Sequence, residues 1–135
     1  MVVAARTLLT GRTQWVAVTS AAPDTVARDE MQVMLVTRTQ AEVIVHPRID
    51  ATPKGTGDLF CATLIGHWLN GADLSEAASQ ACRHVIRALR HTQRARCAEL
   101  LLPMADNLND HRTTESESIG RFTYRIFPCK QPLPI

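Results

Sequence analysis

The sequence predicts an α/β fold, and two features of it support that prediction. Three short runs rich in Val, Ile and Leu, at residues 15–19, 31–37 and 41–45, have the length and β-branched content of buried strands. Two longer segments follow, one after Asp58 and one after Asp73, and both repeat apolar residues at helical spacing. A chain of 135 residues fits one such domain with a modest core.

The first 20 residues predict a helix followed by a strand. Residues 1–9 have the pattern of the end of a helix, and Gly11 is a suitable stop. Residues 15–19 then predict a buried strand, with Thr19 and Ser20 at its carboxyl end. Ligands of open α/β sheets gather at that end of the strands. The same two residues are also typical of an ordinary turn after a strand, so the pattern alone leaves both interpretations open.

The next two predicted strands have no helix between them. Residues 38–40 connect them and are few enough for a hairpin, although the usual glycine is missing. Such a pair departs from strict β-α-β alternation, so we expect an antiparallel hairpin added to a mainly parallel sheet. Pro47 should end the second strand of the pair, because proline cannot continue the hydrogen-bond ladder.

Two helices are predicted in the second half of the chain. The first has a broad apolar stripe and ends at Asn70-Gly71. Asp73 and Glu76 have capping-box spacing at the start of the second, which should run to about Gln93. The stripe of the first helix consists of Phe60, Leu64, Ile65 and Trp68, and that of the second of Leu74, Ala78, Ala81, Val85 and Leu89.

The end of the chain changes character. Residues 99–103 are a short apolar end, expected to form a final strand or a docking segment. Residues 106–118 are polar and charged without any period, and three prolines follow a brief apolar patch that starts at Phe122. We therefore expect residues 105–135 to be a poorly ordered or non-native tail, outside the domain formed by residues 1–104.

Composition narrows the functional classes. A net charge of +2 gives no argument for nucleic acid or membrane as a partner, and the arginines between positions 83 and 96 are typical of a solvated helix face. The four cysteines and five histidines lack the short spacings of a zinc site or redox motif. No signal peptide or membrane-length apolar run is present. We expect a reducing, cytoplasmic setting and no metal site made by the protein alone.

The chain is organised around the segment Lys54-Gly55-Thr56-Gly57-Asp58-Leu59-Phe60. Glycines at the start of a helix let several backbone N–H groups face one point, where the helix dipole also favours an anion such as phosphate. Asp58 beside that point is a suitable proton acceptor, so the pairing suggests phosphoryl transfer to a hydroxyl. The local pattern is equally typical of a turn in which Asp caps a helix.

The wider segment favours the first interpretation. His46-Pro47-Arg48-Ile49 followed by the glycine turn and Leu59-Phe60-Cys61-Ala62 resembles the ribokinase-like kinases, and most of all the bacterial pyridoxal (vitamin B6) kinases. The resemblance runs from about Val3 to Pro103 and is most specific from His46 to Leu64. It implies a three-layer ribokinase-like sandwich with a mainly parallel sheet and an antiparallel hairpin, of which this chain has only the C-terminal part.

The resemblance also implies roles for individual residues. Asp58 would be the catalytic base and would contact the 5′-hydroxymethyl group of pyridoxal, pyridoxine or pyridoxamine. Gly55, Thr56 and Gly57 would form an anion hole for the transferred phosphoryl group, which backbone donors stabilise because they are fixed before the reaction. ATP would be bound by Thr19, Ser20, His46, Pro47, Arg48, Ile49 and Thr56, with Lys54 as a weaker candidate.

Kinases of this family use ATP with Mg²⁺, often assisted by a monovalent cation such as K⁺, and complete members are commonly homodimers. They are about twice as long as this chain, and the half that it lacks carries most of the B6 pocket and the lid. We therefore expect a fragment with impaired activity. Two alternatives stay open: another ribokinase-like kinase acting on hydroxymethylpyrimidine or a sugar, and a non-catalytic remnant.

Overall fold

The computed structural model describes residues 1–21, 29–103 and 123–128. The elements in chain order are α1 (Val2–Thr7), β1 (Trp15–Val18), β2 (Glu30–Thr37), β3 (Gln40–Pro47), α2 (Thr56–Leu69), α3 (Leu74–Arg94) and β4 (Thr123–Pro128). They fall into two compact units, one formed by Met1–His46 with Phe122–Ile135 and the other by Pro47–Arg121.

The first unit contains a sheet with the strand order β1-β2-β3-β4. Strand β1 runs antiparallel to β2, with Trp15 opposite Thr37, and β3 runs antiparallel to β4, with Gln40 opposite Pro128. Strands β2 and β3 are hydrogen-bonded neighbours joined by two residues, a connection long enough only for an antiparallel hairpin. The predicted hairpin is confirmed.

The sheet differs from the sequence prediction in one respect. Its pairings among the described strands are all antiparallel, so the mainly parallel part that the resemblance implies is not formed by these four strands. The physical reason is the connection between consecutive strands, because parallel neighbours need a crossover of a dozen or more residues. The α/β class itself is confirmed.

The hairpin turn forms without glycine because a side chain takes over the hydrogen bonding. The Thr37 hydroxyl accepts from the Gln40 amide at 3.1 Å and lies 3.2 Å from the Gln40 carbonyl oxygen, to which it donates. The two connecting residues, Arg38 and Thr39, both avoid positive φ angles. A threonine that bonds its own turn therefore replaces the glycine that the sequence lacks.

Helix α1 covers one face of the sheet and lies within residues 1–9, where the sequence predicts a helix. Ala5 and Leu9 pack into a buried cluster to which β2 and β3 contribute alternate residues. These are Met34, Val36, Ala41 and Val43, with Val16, Val18 and Val45 partly buried beside them. The intervening residues Leu35 and Ile44 are also buried. Because both faces of these strands carry buried side chains, their sequences are continuous apolar runs.

Strand β4 lies within the segment predicted to be a poorly ordered tail. Thr123–Pro128 pairs with the outer edge of β3, and its β-branched and aromatic residues are of the types that favour strands. The remainder of residues 105–135 lies outside the described residues, as does the predicted turn at Ala22-Pro23-Asp24. The division into a domain and a tail at residue 104 stays a prediction.

Helices α2 and α3 make up most of the described part of the second unit and pack against each other. Helix α3 buries a row of small side chains, consisting of Ala77, Ala78, Ala81, Cys82 and Ala88, which lets the two helices approach closely. Its predicted cap is confirmed, because the Asp73 carboxylate accepts from the Glu76 amide at 2.8 Å. The predicted end of α2 is also confirmed, with Gly71 at φ +96° just after Leu69.

The apolar stripe predicted for α2 is buried only in part. Phe60 and Leu64 are buried, whereas Ile65 and Trp68 are 45% and 36% exposed. Residue 65 lies about 100° around the helix axis from residue 64, and the packing that buries Leu64 leaves Ile65 exposed. The predicted apolar end at residues 99–103 is not a strand but docks on α3, where the Leu101 amide donates to the Thr92 hydroxyl at 2.9 Å.

Candidate active site

The glycine turn opens helix α2. Gly55 occupies the cap position with φ 94° and ψ 0°, in the left-handed region, and Thr56, Gly57 and Asp58 form the first turn of the helix. The first amide bonded within the helix is that of Leu59, which donates to the Gly55 carbonyl at 3.0 Å. The three amides before it have no partner inside the helix, and no side chain caps this end.

This geometry rules out one of the two interpretations of the local pattern, in which Asp58 caps the helix. Asp58 would have to stand just before the helix to cap it, but it stands at the third helical position and its side chain does not cap the helix. Free amides, the positive end of the helix dipole and an exposed first turn are instead the features of an anion site. Asp58 is exposed in the same turn.

The two glycines of the turn serve different purposes. A Cβ on Gly55 would lie 3.8 Å from Leu100 Cδ2, which is an ordinary contact, so the left-handed backbone is what requires glycine there. A Cβ on Gly57 would meet no atom within 4 Å. The space beside Gly57 is therefore open, as the approach of a phosphate to the backbone requires.

The loop that leads to the turn is held at its middle. Pro47 ends β3 as predicted, Arg48 is exposed and Ile49 is half-buried. The Ala51 amide donates to the Ile49 carbonyl at 2.9 Å. The Gln93 side chain of α3 donates to the Asp50 carbonyl at 3.2 Å, so the loop is attached to the end of that helix.

The candidate site residues are divided between the two units. The second unit contains Pro47, Arg48, Ile49 and Lys54 together with residues 55–58, which we call the anion turn after the role proposed for it below. Lys54 is exposed directly before Gly55. Thr19, Ser20 and His46 belong to the first unit. Their contribution to an ATP site is therefore part of the proposal below.

Ser20 has a feature that the sequence did not reveal. Its φ is 51°, in the left-handed region, and the Ala21 amide then donates to the Gln32 carbonyl at 2.9 Å, so the ladder with β2 resumes after it. A left-handed backbone at a residue other than glycine is uncommon and is found often at functional sites. The turn after β1 therefore places Ser20 in an uncommon backbone conformation.

Three further residues near the anion turn were not predicted as site residues: Thr92, Gln93 and Leu100. They approach it from the end of α3 and the segment that follows. Local spacing gave no signal for Gln93 or Leu100. A hint existed for Thr92, because a hydroxyl at an apolar position of a helix needs a buried partner.

Comparison with known proteins shows what this chain is similar to. No family model matches the chain. A pyridoxine/pyridoxal/pyridoxamine kinase of Bordetella bronchiseptica is 52% identical over 101 residues, which are 75% of this chain and 36% of that protein. The relative of the same name in Bordetella avium is 47% identical over 105 residues, or 78% of this chain and 36% of the relative.

The predicted resemblance to the bacterial vitamin B6 kinases is confirmed. The chain spans about a third of the length of these B6 kinases, 36% in each case. The activity, substrates and partners of a whole B6 kinase therefore come to this chain only as proposals.

Solved structures confirm the ribokinase-like fold. The pyridoxal kinase of Staphylococcus aureus, in complex with AMP-PCP and pyridoxal, matches 87% of this chain and 40% of its own length with a TM-score of 0.57 at 13% identity. A candidate phosphomethylpyrimidine kinase of Bacteroides thetaiotaomicron matches 59% of this chain and 27% of its own with a TM-score of 0.54 at 24% identity. At these identities the likeness concerns the fold alone.

No helix among residues 1–21, 29–103 and 123–128 is both long and apolar enough to span a bilayer. The same part of the chain contains no group of three or more His, Cys, Asp or Glu side chains arranged to hold a metal ion. The described cysteines Cys61, Cys82 and Cys97 are free thiols.

Proposed function

We propose that this chain carries the catalytic turn of an ATP-dependent kinase that phosphorylates the 5′-hydroxymethyl group of a B6 vitamer. The observation that supports this most directly is the uncapped first turn of α2, with free amides and the Asp58 carboxylate side by side in a segment similar to the Bordetella B6 kinases. The AMP-PCP and pyridoxal named for the Staphylococcus aureus structure are the ligands that such a turn would serve.

The proposed chemistry uses two features of the turn. Asp58 accepts the proton of the hydroxymethyl group, the freed oxygen bonds to the γ-phosphorus of ATP, and the bond from that phosphorus to the β-phosphate oxygen breaks to release ADP. The amides of Gly55, Thr56 and Gly57 donate to the phosphoryl oxygens on which charge develops. One such donor is typically worth about 3 kcal/mol of barrier.

The other ATP contacts are proposed from the resemblance. His46, Pro47, Arg48 and Ile49 would pack against adenine and ribose, and Thr19 and Ser20 would touch the phosphates. Arg48 is exposed and able to pair with phosphate. Support for Thr19 and Ser20 comes from the left-handed backbone of Ser20. Support for the substrate contact comes from the exposed position of Asp58.

Mg²⁺ would arrive with the ATP phosphates, because the described residues do not themselves form a metal cluster. No step above is assigned to Mg²⁺ or to K⁺. We propose a cytoplasmic location, which the free described cysteines support. The homodimer of complete family members stays a prediction, as do the absence of a nucleic-acid partner and of a membrane partner.

The proposal is tested by measuring phosphorylation of pyridoxal by the purified chain with Mg-ATP. Asp58→Asn should lower the rate about 10²–10⁴-fold, the range for losing a general base. Asp73→Asn is the matched control, because it removes a carboxylate equally but leaves an oxygen to cap α3. Equal and measurable rates for the wild type and Asp58→Asn would remove Asp58 from the mechanism.

A hydroxymethylpyrimidine kinase is the second candidate, because kinases of more than one substrate class share this fold, as the Bacteroides protein illustrates. It would use the same turn, so Asp58→Asn does not separate the two. Offering pyridoxal and hydroxymethylpyrimidine in parallel does, and transfer only to the pyrimidine would replace the first proposal by the second. If neither is phosphorylated and ATP does not stabilise the chain against heat, the non-catalytic alternative holds.

A further inference from the structure

The end of helix α3 and the segment that follows it lie beside the anion turn and the loop before it. The Gln93 side chain donates to the Asp50 carbonyl at 3.2 Å, in the loop that leads to the turn. On the other side, Leu100 Cδ2 lies 3.8 Å from the position that a Cβ of Gly55 would occupy. Gln93 is thus bonded to the loop before the turn, and the Leu100 side chain lies beside Gly55 of the turn itself.

Thr92 connects these contacts. Its side chain is 1% exposed, and its hydroxyl donates to the Ala88 carbonyl at 2.8 Å while accepting from the Leu101 amide at 2.9 Å. Its own carbonyl accepts from the Cys97 amide at 3.2 Å. One buried threonine thus folds the segment after α3 back onto the helix and sets the position of Leu100.

We propose that Thr92 is a positioning residue for the anion turn, acting through the Leu101 backbone and the Leu100 side chain, with Gln93 fixing the preceding loop. The proposal rests on the proposed function only for what the turn binds, since the contacts themselves are geometric. Thr92 does not touch substrate or nucleotide in this proposal.

The turn needs such support because it lacks its own. Helix α2 has no side-chain cap, and Gly55 has neither a side chain to pack nor a strong preference for one backbone conformation. Donors that stabilise developing charge are effective only if they are already in place. The Leu100 side chain lies beside Gly55, where it would limit the conformations of the glycine, and it leaves the side of the turn at Gly57 open.

The test compares Thr92→Val with Thr92→Ser by amide hydrogen exchange measured by NMR on the full chain. Valine has the same shape without the hydroxyl, whereas serine keeps the hydroxyl. The reporters are the amides of Leu59, bonded to Gly55, and of Leu101, bonded to Thr92. The control reporter is Asn70, whose amide bonds Gly66 at the far end of α2.

In Thr92→Val, the amides of Leu101 and Leu59 should exchange about fivefold faster than in the wild type, which is the ratio expected from losing one ordinary hydrogen bond. Asn70 should change by less than about twofold, and Thr92→Ser should match the wild type at all three amides. The proposal is overturned if Leu59 is unchanged while Leu101 accelerates. It is equally overturned if Leu59 and Asn70 accelerate to the same degree, because that indicates general loss of stability.

Leu100→Ala provides a second route in case Thr92→Val does not fold. It truncates a half-buried side chain and leaves the Thr92 hydrogen bonds in place. The Leu59 amide should then exchange faster than in the wild type, whereas the Leu101 amide should exchange at the wild-type rate. An unchanged Leu59 amide in this variant contradicts the proposal.

Binding of inorganic phosphate, followed by the amide signal of Gly57, separates this inference from the proposed function. If the wild-type signal responds, the apparent affinity for phosphate should fall several-fold in Thr92→Val and stay the same in Thr92→Ser. Equal affinities in the wild type and both variants contradict the positioning role. If the wild-type signal does not respond, the anion role of the turn fails, and the exchange rates alone judge the role of Thr92.

Discussion

At Gly55, one backbone conformation determines how helix α2 begins. A left-handed residue at the cap position leaves the next amides pointing out of the helix end without a side chain over them. Asp58 then falls in the first turn, next to the free amides rather than in front of them. A residue with a Cβ at position 55 would strain this backbone, so the chemistry proposed for Asp58 depends on a glycine three positions earlier.

A second residue-scale consequence concerns Cys82. Burial raises the pKa of its thiol from 9.0 to about 12, and the neighbouring Arg83 opposes that shift only in part. A raised pKa means that the neutral thiol stabilises the fold fully below pH 9, and that this contribution is lost as the pH rises toward 12. Cys61 and Cys97 are exposed.

We therefore expect selective alkylation. At about pH 8.5, iodoacetamide should label Cys61 and Cys97 within minutes and leave Cys82 unlabelled, as read by peptide mass spectrometry. In concentrated urea Cys82 should react at the rate of the other two, which is the internal control. Labelling of Cys82 in the native protein at the rate of Cys61 would show that α3 does not bury it.

At the scale of elements, α2 and α3 end in the same way with different residues. After α2, Gly71 donates to the Trp68 carbonyl and Ala72 to the His67 carbonyl; after α3, Arg96 donates to Gln93 and Cys97 to Thr92. These are the paired bonds of a Schellman motif, which needs a left-handed residue. Gly71 has φ 96° and Arg96 has φ 50°.

The two ends should respond oppositely to substitution. Arg96→Gly should raise the free energy of unfolding by about 0.5–1 kcal/mol, because glycine adopts this backbone without strain. Gly71→Ala should lower it by about 1–2 kcal/mol, although a Cβ there meets no atom within 4 Å. Urea unfolding measures both.

The matched control is Gly66→Ala, inside α2. A Cβ at Gly66 also meets nothing within 4 Å, but its backbone is ordinary helix, so alanine should stabilise by about 0.5–1 kcal/mol. If Gly66→Ala and Gly71→Ala shift stability in the same direction, the left-handed backbone is not what decides the outcome at position 71.

At the scale of the whole molecule, α2 exposes three large apolar side chains at helical spacing. Ile65, Trp68 and Leu69 are 45%, 36% and 74% exposed, and the chain spans only 36% of the length of the Bordetella relatives. Contiguous apolar surface of this kind favours association.

Leu69→Lys should therefore reduce concentration-dependent association, measured by sedimentation velocity. The control is His67→Lys, which adds a positive charge at an exposed position of the same helix without removing an apolar side chain. If both substitutions reduce association equally, added charge rather than lost apolar surface is the cause. If neither does, the exposed face of α2 does not drive association.

Much of the fold follows from local rules that a sequence displays. The β2–β3 hairpin follows from two β-branched runs separated by three residues or fewer, and the ends of α2 and α3 follow from Gly71 and the Asp73 cap. The position of the glycine turn at the start of α2 was also predictable, since its glycines and carboxylate are adjacent in the sequence. Each of these features is decided within a few residues along the chain.

Other features depend on residues far apart in sequence. The exposure of Ile65 depends on how much of α2 the packing with α3 covers. The direction of strand pairing depends on which strands become neighbours, and β4 reaches β3 from more than 75 positions away. The support of Gly55 by Leu100 likewise joins residues that no local spacing relates.

The amino-acid sequence by itself determined the kind of elements, their order, and the glycine turn with its carboxylate, because hydrophobic period, caps and backbone freedom are properties of neighbouring residues. Only the tertiary structure decided that Gly55 rather than Asp58 stands at the helix cap, that Ser20 and Arg96 adopt left-handed backbones, and that the Thr92 hydroxyl accepts from the Leu101 amide. Those outcomes are set by packing and by hydrogen bonds between distant segments, whose free energy outweighs local preference.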